Sequence, residues 1–393
     1  MRVGLVVPGG VDRSGRERVI PALLRLVARL APRHDVVVFA LGQEEEPGSW
    51  PLLGARVVDL GRARPPLLPG LGVLSRARQL SRAIDREGPF ELLHAFWASP
   101  CGFLAALAAP RTPLVVSLAG GELAAVPEIG YGCALLPRER AKVRFALRRA
   151  RAVTAASRPM VEAAARAGFG AELVPLGVEA AAFPAGAPRR EGEPFRLVSV
   201  GSLNRVKDPE TLLRAFALAC ERVPLLRLDV AGEDTLGGEV QALAVRLGLG
   251  EAVRFHGWLA EEEVRALLAS AHLLVVSSRH EAGPVALVEA AACGLPTAGT
   301  AVGHVLEGDG VRSLAVPVGD APALAGAIVA LASDEPLRLR KGEAARAWAR
   351  ENDADATAAR FEAVYASVAA SVRRAGRGGG RRRGGGGPSP TPR

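Results

Sequence analysis

The chain has 393 residues, enough for two or three domains that bury most of their unfolded surface. Apolar residues make up 49% and charged residues 23%, which excludes a chain disordered throughout, and 4% aromatics favour aliphatic layers over an aromatic-rich β-sandwich. Net charge is +9, but seven arginines (Arg373, Arg374, Arg377, Arg381, Arg382, Arg383 and Arg393) follow the last acid, Glu362. The preceding residues therefore carry only +2, which argues against a nucleic-acid-binding body.

In chain order, Val/Leu-rich runs at 2–8, 35–40, 56–60, 91–95, 113–118, 152–155 and 172–176 read as strands. A second set follows at 196–200, 227–231, 253–256, 272–277 and 296–300. Most are continuous apolar runs, as expected for parallel strands covered on both faces. Helical patterns lie between them at 18–30, 72–85, 138–149, 209–220, 261–270 and 287–292, and three more follow at 321–332, 336–350 and 357–372. This alternation predicts an α/β protein with doubly wound sheets. The pattern breaks at 180–194, where Pro184, Pro188 and Pro194 mark a linker between two such domains, 1–186 and 187–352. The Arg/Gly tail at 376–393 cannot bury a core and is expected to be disordered.

Cys101, Cys133, Cys220 and Cys293 form no C-x-x-C pair and fit no zinc spacing, so they read as small apolar residues in a reducing compartment. The start of the chain is too short an apolar run for a signal peptide, and no stretch is long enough to span a bilayer. The expectation is a cytoplasmic protein, with peripheral contact at the inner membrane face as an option.

Ligands in open α/β sheets bind beyond the carboxyl ends of the strands, so three loops there draw the chemistry. The first, Pro8-Gly9-Gly10-Val11, puts glycines at a strand-to-helix turn, where backbone can approach a ligand or merely turn. The second runs Gly201-Ser202-Leu203-Asn204-Arg205-Val206-Lys207-Asp208. Only Lys142, Lys207 and Lys341 occur in this Arg-rich chain. A lysine at that turn suits a leaving diphosphate, or is a solvated loop charge. The third begins Ser278-Arg279-His280-Glu281-Ala282-Gly283-Pro284-Val285, with Pro284 fit for a first helical position and Gly294 for the helix end. Eight helical residues rise by about 12 Å, so Glu281 and Glu289 are too far apart to act as a glycosidase pair. They can instead meet two parts of one elongated ligand, with the free amides near Gly283 receiving phosphates between them.

The E-x7-E frame from Glu281 to Glu289, ending Glu-Ala-Ala-Ala-Cys-Gly-Leu-Pro, resembles glycosyltransferase family 4, the retaining, GT-B-type enzymes. So do the Lys207-Asp208 loop, Gly9-Gly10, Asp229-Val-Ala-Gly232-Glu233 and Val253-Arg-Phe-His256-Gly257, and the likeness spans roughly 1–372. The resemblance implies two Rossmann-like domains facing a cleft, the first on the acceptor side and the second holding a nucleotide-sugar donor. A last helix, 353–375, would cross back to the first domain. It implies Glu281 at the sugar hydroxyls, Glu289 at the ribose, Lys207 at the diphosphate, and Gly9 and Gly10 approaching the phosphates. Glu122 matches the acid ending a first-domain motif and is placed with the catalytic residues. Arg205 stands in for a cation that the family often carries where this chain has Ser202. Ala119 replaces a frequent family histidine. These two departures favour the alternative, a catalytically inactive GT-B-like binding or scaffold protein.

His94 ends a strand and is read either as a cleft contact for acceptor or donor or as a core histidine. His280 is read as a structural partner or a donor-sugar contact. Asp353-Ala-Asp355 reads as a helix cap rather than a metal motif. No metal and no cofactor are expected, since the nucleotide-sugar is a substrate. The acceptor is unidentified, the tail offers weak contact with an anionic membrane, and nucleic acid is not an expected partner.

Overall fold

The computed structural model describes residues 1–63, 71–186 and 192–379, apart from the side chains of Leu71 and of residues 375–379. The first sheet is built from β1 (Arg2–Val7), β2 (Asp35–Ala40), β3 (Gly48–Leu52), β4 (Ala55–Asp59), β5 (Leu92–Phe96), β6 (Leu114–Leu118), β7 (Ala152–Ala155) and β8 (Glu172–Leu173). Its order is β3-β4-β2-β1-β5-β6-β7-β8, parallel throughout except for the β3–β4 pair. Helices α1 (Pro21–Leu30), α2 (Leu71–Glu87), α3 (Phe103–Ala108), α4 (Pro137–Arg149) and α5 (Arg158–Arg166) connect these strands. The second sheet holds β9 (Phe195–Val200), β10 (Leu226–Ala231), β11 (Val253–Gly257), β12 (Leu273–Val276), β13 (Thr297–Thr300) and β14 (Ser313–Val316) in the order β11-β10-β9-β12-β13-β14, all parallel. Its helices are α6 (Pro209–Cys220), α7 (Glu239–Arg246), α8 (Glu261–Ser270), α9 (Val285–Ala292), α10 (Gly303–Glu307) and α11 (Ala321–Ser333), followed by α12 (Glu335–Glu351) and α13 (Ala354–Gly379).

The second sheet has the doubly wound order in which direction reverses between its first and fourth strands, here β9 and β12. The continuous apolar runs explain the layering. Every residue of β5 and β6 is buried, so both faces of the sheet must be covered, and helices cover them. Val6, Phe39, Leu93 and Val116 lie in the core on one face of the first sheet, and Leu5, Val38, Leu92 and Val115 on the other.

Some elements differ from expectation. Strand β3 was not foreseen: it is a short antiparallel edge with Pro51 in it, and proline is tolerated only at such edges. Strand β14, Ser-Leu-Ala-Val, was too short and weakly apolar to stand out. Helix α1 starts at Pro21 rather than residue 18, because Arg18 takes φ +49° and Val19 bridges to Val11. Helix α13 opens with Asp353 Oδ1 accepting from Ala356 N at 2.8 Å, a capping role for the Asp353-Ala-Asp355 segment. It runs on to Gly379, so the first residues of the expected tail are helical. Residues 380–393, and 187–191 of the linker, lie outside the described residues.

Helix α13 packs on the first sheet. Phe361, Val364, Tyr365 and Val368 are buried in the same cluster as Leu5 and Phe96. Its return is tied at the start, where Ala354 N donates to Val178 O at 3.0 Å and Thr357 Oγ1 bonds both Pro175 O at 2.7 Å and Gly177 N at 2.8 Å. A Cβ on Gly177 would lie 2.2 Å from Asn352 O, so only glycine lets the two segments cross here.

Candidate active site at the switch point of the second sheet

Because β9 and β12 are neighbours whose connections leave in opposite directions, the loops after them open side by side. The β9 loop is shaped by short-range bonds. Asn204 Oδ1 accepts from Val206 N and Lys207 N, each at 3.0 Å, and Asp208 caps α6 through Thr211 N and Thr211 Oγ1. The β12 loop is stitched to it. Ser277 Oγ donates to Lys207 O at 2.7 Å, Arg279 N to Val206 O at 2.7 Å, and Arg279 Nε pairs with Asp208 Oδ2 at 3.0 Å.

The two loops converge on one ion pair. Lys207 Nζ lies 2.5 Å from Glu281 Oε1, and Ser278 Oγ donates to the same oxygen at 2.6 Å. Both bonds fall on Oε1; Oε2 has no hydrogen-bond partner among the described residues. Glycines make the closeness possible. Gly201, at φ +149°, lets the Lys207 side chain lie against its Cα, where a Cβ would stand 3.2 Å from Cε. Gly232, at φ +152°, faces Gly201 O, which a Cβ would meet at 2.0 Å.

Pro284 is the N-cap of α9, not its first residue, and Val285 begins the helix. No side chain caps this end, and the Val285 and Ala286 amides find no acceptor among the described residues. Free amides at a helix start favour an anion. Gly294, at φ +81°, ends the helix as expected. Gly283 has a different constraint: a Cβ there would meet Ala156 Cβ of the first domain at 2.7 Å and His304 Nε2 at 3.1 Å. Its smallness serves the contact between domains, as does Ser157 Oγ donating to Ala282 O.

Several expected site residues are placed elsewhere. His94 is fully buried, with Nδ1 2.7 Å from Tyr365 Oη and Nε2 2.7 Å from Ser117 Oγ. Of its two readings, cleft contact or core histidine, it takes the second, in the core under α13, and burial pushes its imidazole down to about 3. Glu122 is also corrected from its catalytic placing. Its buried carboxylate accepts from Ala98 N at 3.3 Å, Ala119 N at 3.1 Å and Gly120 N at 2.7 Å, so it braces the loops after β5 and β6. Burial raises its pKa, and the amides pull it back. His280 reaches that braced loop, donating from Nε2 to Gly120 O at 3.2 Å, with its ring against Tyr131.

Glu289 is not brought to the Lys207–Glu281 pair. It meets Arg25 Nη2 at 3.1 Å, across from α1, and the same nitrogen meets Glu261 at 2.9 Å. Burial raises the Glu289 pKa, and the Arg25 guanidinium opposes that shift. The sequence pattern does not single out Arg25, although it carries a signal: an arginine in the apolar stretch Pro-Ala-Leu-Leu-Arg-Leu-Val. Arg205 is exposed and lines a groove with Arg246, Arg279 and Ile129 of the first domain. The Gly9-Gly10 turn is closed on itself, with Ile20 N donating to Gly10 O and Val11 N to Gln43 Oε1, each at 2.9 Å. No hydrogen bond or ion pair links that turn to Lys207 or Glu281 among the described residues. All four cysteines are free.

Two Rossmann-type sheets joined by a returning helix are the GT-B arrangement. The model for "Glycosyl transferase 4-like domain" matches residues 19–177 and that for "Glycosyl transferases group 1" matches residues 186–348. The chain belongs to glycosyltransferase family 4. A D-inositol 3-phosphate glycosyltransferase of Corynebacterium jeikeium is 34% identical over 212 residues, 49% of this chain and 51% of that protein. One from Streptomyces griseus is 33% identical over 188 residues, 45% of this chain and 40% of that protein. The chain thus spans about half the length of the curated relatives it matches. Sucrose-phosphate synthase of Thermosynechococcus elongatus shares the fold with a TM-score of 0.78 and 21% identity, over 94% of this chain and all (100%) of that one. HepE of Anabaena, solved with UDP-glucose, shares it with a TM-score of 0.73 and 21% identity, over 93% and 99% of the two chains.

Proposed function

We propose that the protein transfers a sugar, with retention, from a nucleotide-diphosphate-sugar to an acceptor hydroxyl. The observation that carries this reading is the Lys207–Glu281 pair at 2.5 Å beside the uncapped start of α9. On this reading residues 187–352 hold the donor, and residues 1–186 with the returning helix form the acceptor side. Lys207 and the Val285 and Ala286 amides receive the diphosphate as it gains charge, the point at which preorganised donors act most strongly. The free Oε2 of Glu281 accepts from a sugar hydroxyl. Glu289 takes the ribose hydroxyls, with Arg25 as its resting partner, and Gly9, Gly10, Arg205 and His280 lie around the donor. The acceptor oxygen bonds to the anomeric carbon on the face the diphosphate leaves; the carbon–oxygen bond to phosphate breaks, and the hydroxyl proton passes to the departing phosphate. Lys207 supplies the cation, so no metal is required by this scheme.

The UDP-glucose bound by HepE and the glycosyltransferase names of the curated relatives support a nucleotide-sugar donor. We take the acceptor to be an envelope-glycan or glycolipid precursor met at the cytoplasmic face of a membrane. The test is a screen of UDP-, GDP- and ADP-sugars for thermal stabilisation, because a ligand at one hundred times its Kd adds about 2.7 kcal/mol. One donor should raise the unfolding temperature in the wild type and be hydrolysed slowly or transferred. Stabilisation with no turnover under any acceptor would support the inactive binding protein, and no stabilisation by any nucleotide would remove the donor reading.

A further inference from the structure

A carboxylate inside an apolar helix loses its charge unless something holds it. Glu289 stands in α9 between Val288 and Ala290, both buried, and is itself 9% exposed. Burial alone favours its neutral form. A cation from the first domain opposes this, with Arg25 Nη2 lying 3.1 Å from Glu289 Oε1. Arg25 is 7% exposed, and its neighbours Leu24 and Leu26 in α1 are buried with it. One turn on, Arg29 pairs with Asp355 at 2.7 Å and Glu179 at 3.3 Å, which fixes the same edge of α1 against the returning chain.

The other charges around Glu289 come from α8. Arg25 Nη2 also meets Glu261 Oε1 at 2.9 Å, and Arg265 Nη2 donates to that same oxygen at 3.2 Å. Arg25 and Arg265 thus balance Glu261 and Glu289. At the end of α9, Cys293 has its thiol pushed up to about 12 by burial, with Arg346 of α12 near it, so it adds no charge at neutral pH. Glu261 is exposed and shared by two arginines, whereas Arg25 is the one ion-pair partner of Glu289 among the described residues. Stability is a weak reason for such a pair. Desolvating two charges costs about what their attraction returns, and Arg25 Nη1 is left buried with no partner among the described residues. The pair also leaves one oxygen over: Arg25 binds Oε1, and Glu289 Oε2 has no hydrogen-bond partner among the described residues.

We propose that Arg25 is a positioning residue of the first domain, which holds Glu289 as a charged and oriented acceptor for the ribose hydroxyls of the donor nucleotide. The role rests on the reading of Glu289 as the ribose contact. Because Arg25 uses Oε1, it stays in place while ribose hydroxyls donate to Oε2. The first domain thereby takes part in donor binding without touching the nucleotide. Without Arg25, one cation faces two anions around a buried carboxyl, and Glu289 takes up a proton. A neutral acid accepts the ribose hydroxyls less strongly than a carboxylate does.

The test measures binding of uridine, guanosine and adenosine diphosphates to the full chain by calorimetry, at about pH 7 and about pH 9, which bracket a carboxyl raised by burial. With the nucleotide that binds, Arg25→Met should weaken affinity about tenfold at the lower pH, the scale of a hydrogen bond losing its charge. The loss should shrink at the higher pH, where Glu289 gives up its proton; the ratio of variant to wild type cancels the titration of the nucleotide itself. Arg25→Lys keeps the cation and should keep most of the affinity, and Glu261→Gln should leave it unchanged. On a Glu289→Gln background, Arg25→Met should add nothing. The 2′,3′-dideoxy form of the nucleotide offers no ribose hydroxyls, so Arg25→Met should bind it as the wild type does. Urea midpoints check that the variants fold, and Arg25→Gln, which also removes the charge, replaces Arg25→Met if that chain does not. A loss equal at both pH values, shared by the dideoxy form or added to that of Glu289→Gln overturns the proposal, as does no loss at all. Equal wild-type affinity for the nucleotide and its dideoxy form removes Glu289 from the ribose, and no binding of any nucleoside diphosphate removes the donor reading; the role of Arg25 falls with either.

Discussion

His94 shows how one side chain ties a remote helix to a sheet and makes the fold sensitive to acid. Its two nitrogens are held by Tyr365 and Ser117, and Ser117 passes the chain on to Thr154. The unfolded histidine takes up a proton near 6.5, and the buried one only at about 3. Between those values the unfolded state binds more protons, so stability is fully present above 6.5 and is lost as pH falls towards 3. Between pH 7 and pH 5 this amounts to about 2 kcal/mol at most, at about 1.4 kcal/mol per pH unit. His94→Gln should lower stability at neutral pH but lose less of it on acidification, as read from urea midpoints at the two pH values; parallel losses in both proteins would contradict the assignment. The sequence left this residue between cleft and core, because Tyr365 lies 271 residues away and nothing local names it as the partner. Glu122 was misplaced for a related reason. The backbone amides that consume its carboxylate come from two loops, and amides leave no mark in a sequence.

At the scale of elements, the candidate site depends on glycines at strand ends. Gly201, Gly232 and Gly257 close β9, β10 and β11, with Gly201 N donating to Ala231 O at 2.8 Å and Gly232 N to Gly257 O at 2.7 Å. Gly232→Ala would force a methyl within 2.0 Å of Gly201 O at a φ that side chains rarely adopt, so the Lys207 loop must move. The expected result is a loss of about 1–3 kcal/mol in stability and weaker nucleotide-sugar stabilisation, the usual range for strain at such a position. Unfolding by denaturant with and without the donor checks both; a silent variant would mean that the strand ends are looser than this packing. These loops were legible because glycine, lysine and the strand before them sit together in the chain. The Lys207–Glu281 contact itself was not, since it needs β9 and β12 to be neighbours although β10 and β11 lie between them in sequence. Edge strands β3 and β14 escaped notice because neither has the continuous apolar run that marks a central parallel strand.

Across the whole molecule, specific polar contacts tie the two sheets together. Arg25 spans from α1 to Glu289 and Glu261, His280 reaches Gly120, and Ser157 reaches Ala282. The fold class and its two halves could be read from the alternation of strands and helices, whereas these crossings join residues from distant parts of the chain. The placement of Lys207 and Glu281 at one switch point is the centre of the account, and a double-mutant cycle on donor turnover tests it most directly. With a donor from the screen, kcat and KM are measured for the wild type, Lys207→Ala, Glu281→Ala and the double variant. If the pair acts as one unit on the departing diphosphate and its sugar, each single change lowers kcat far more than it raises KM, and the double variant is scarcely worse than either. Effects that multiply in the double variant, or that fall on KM with kcat unchanged, would contradict it.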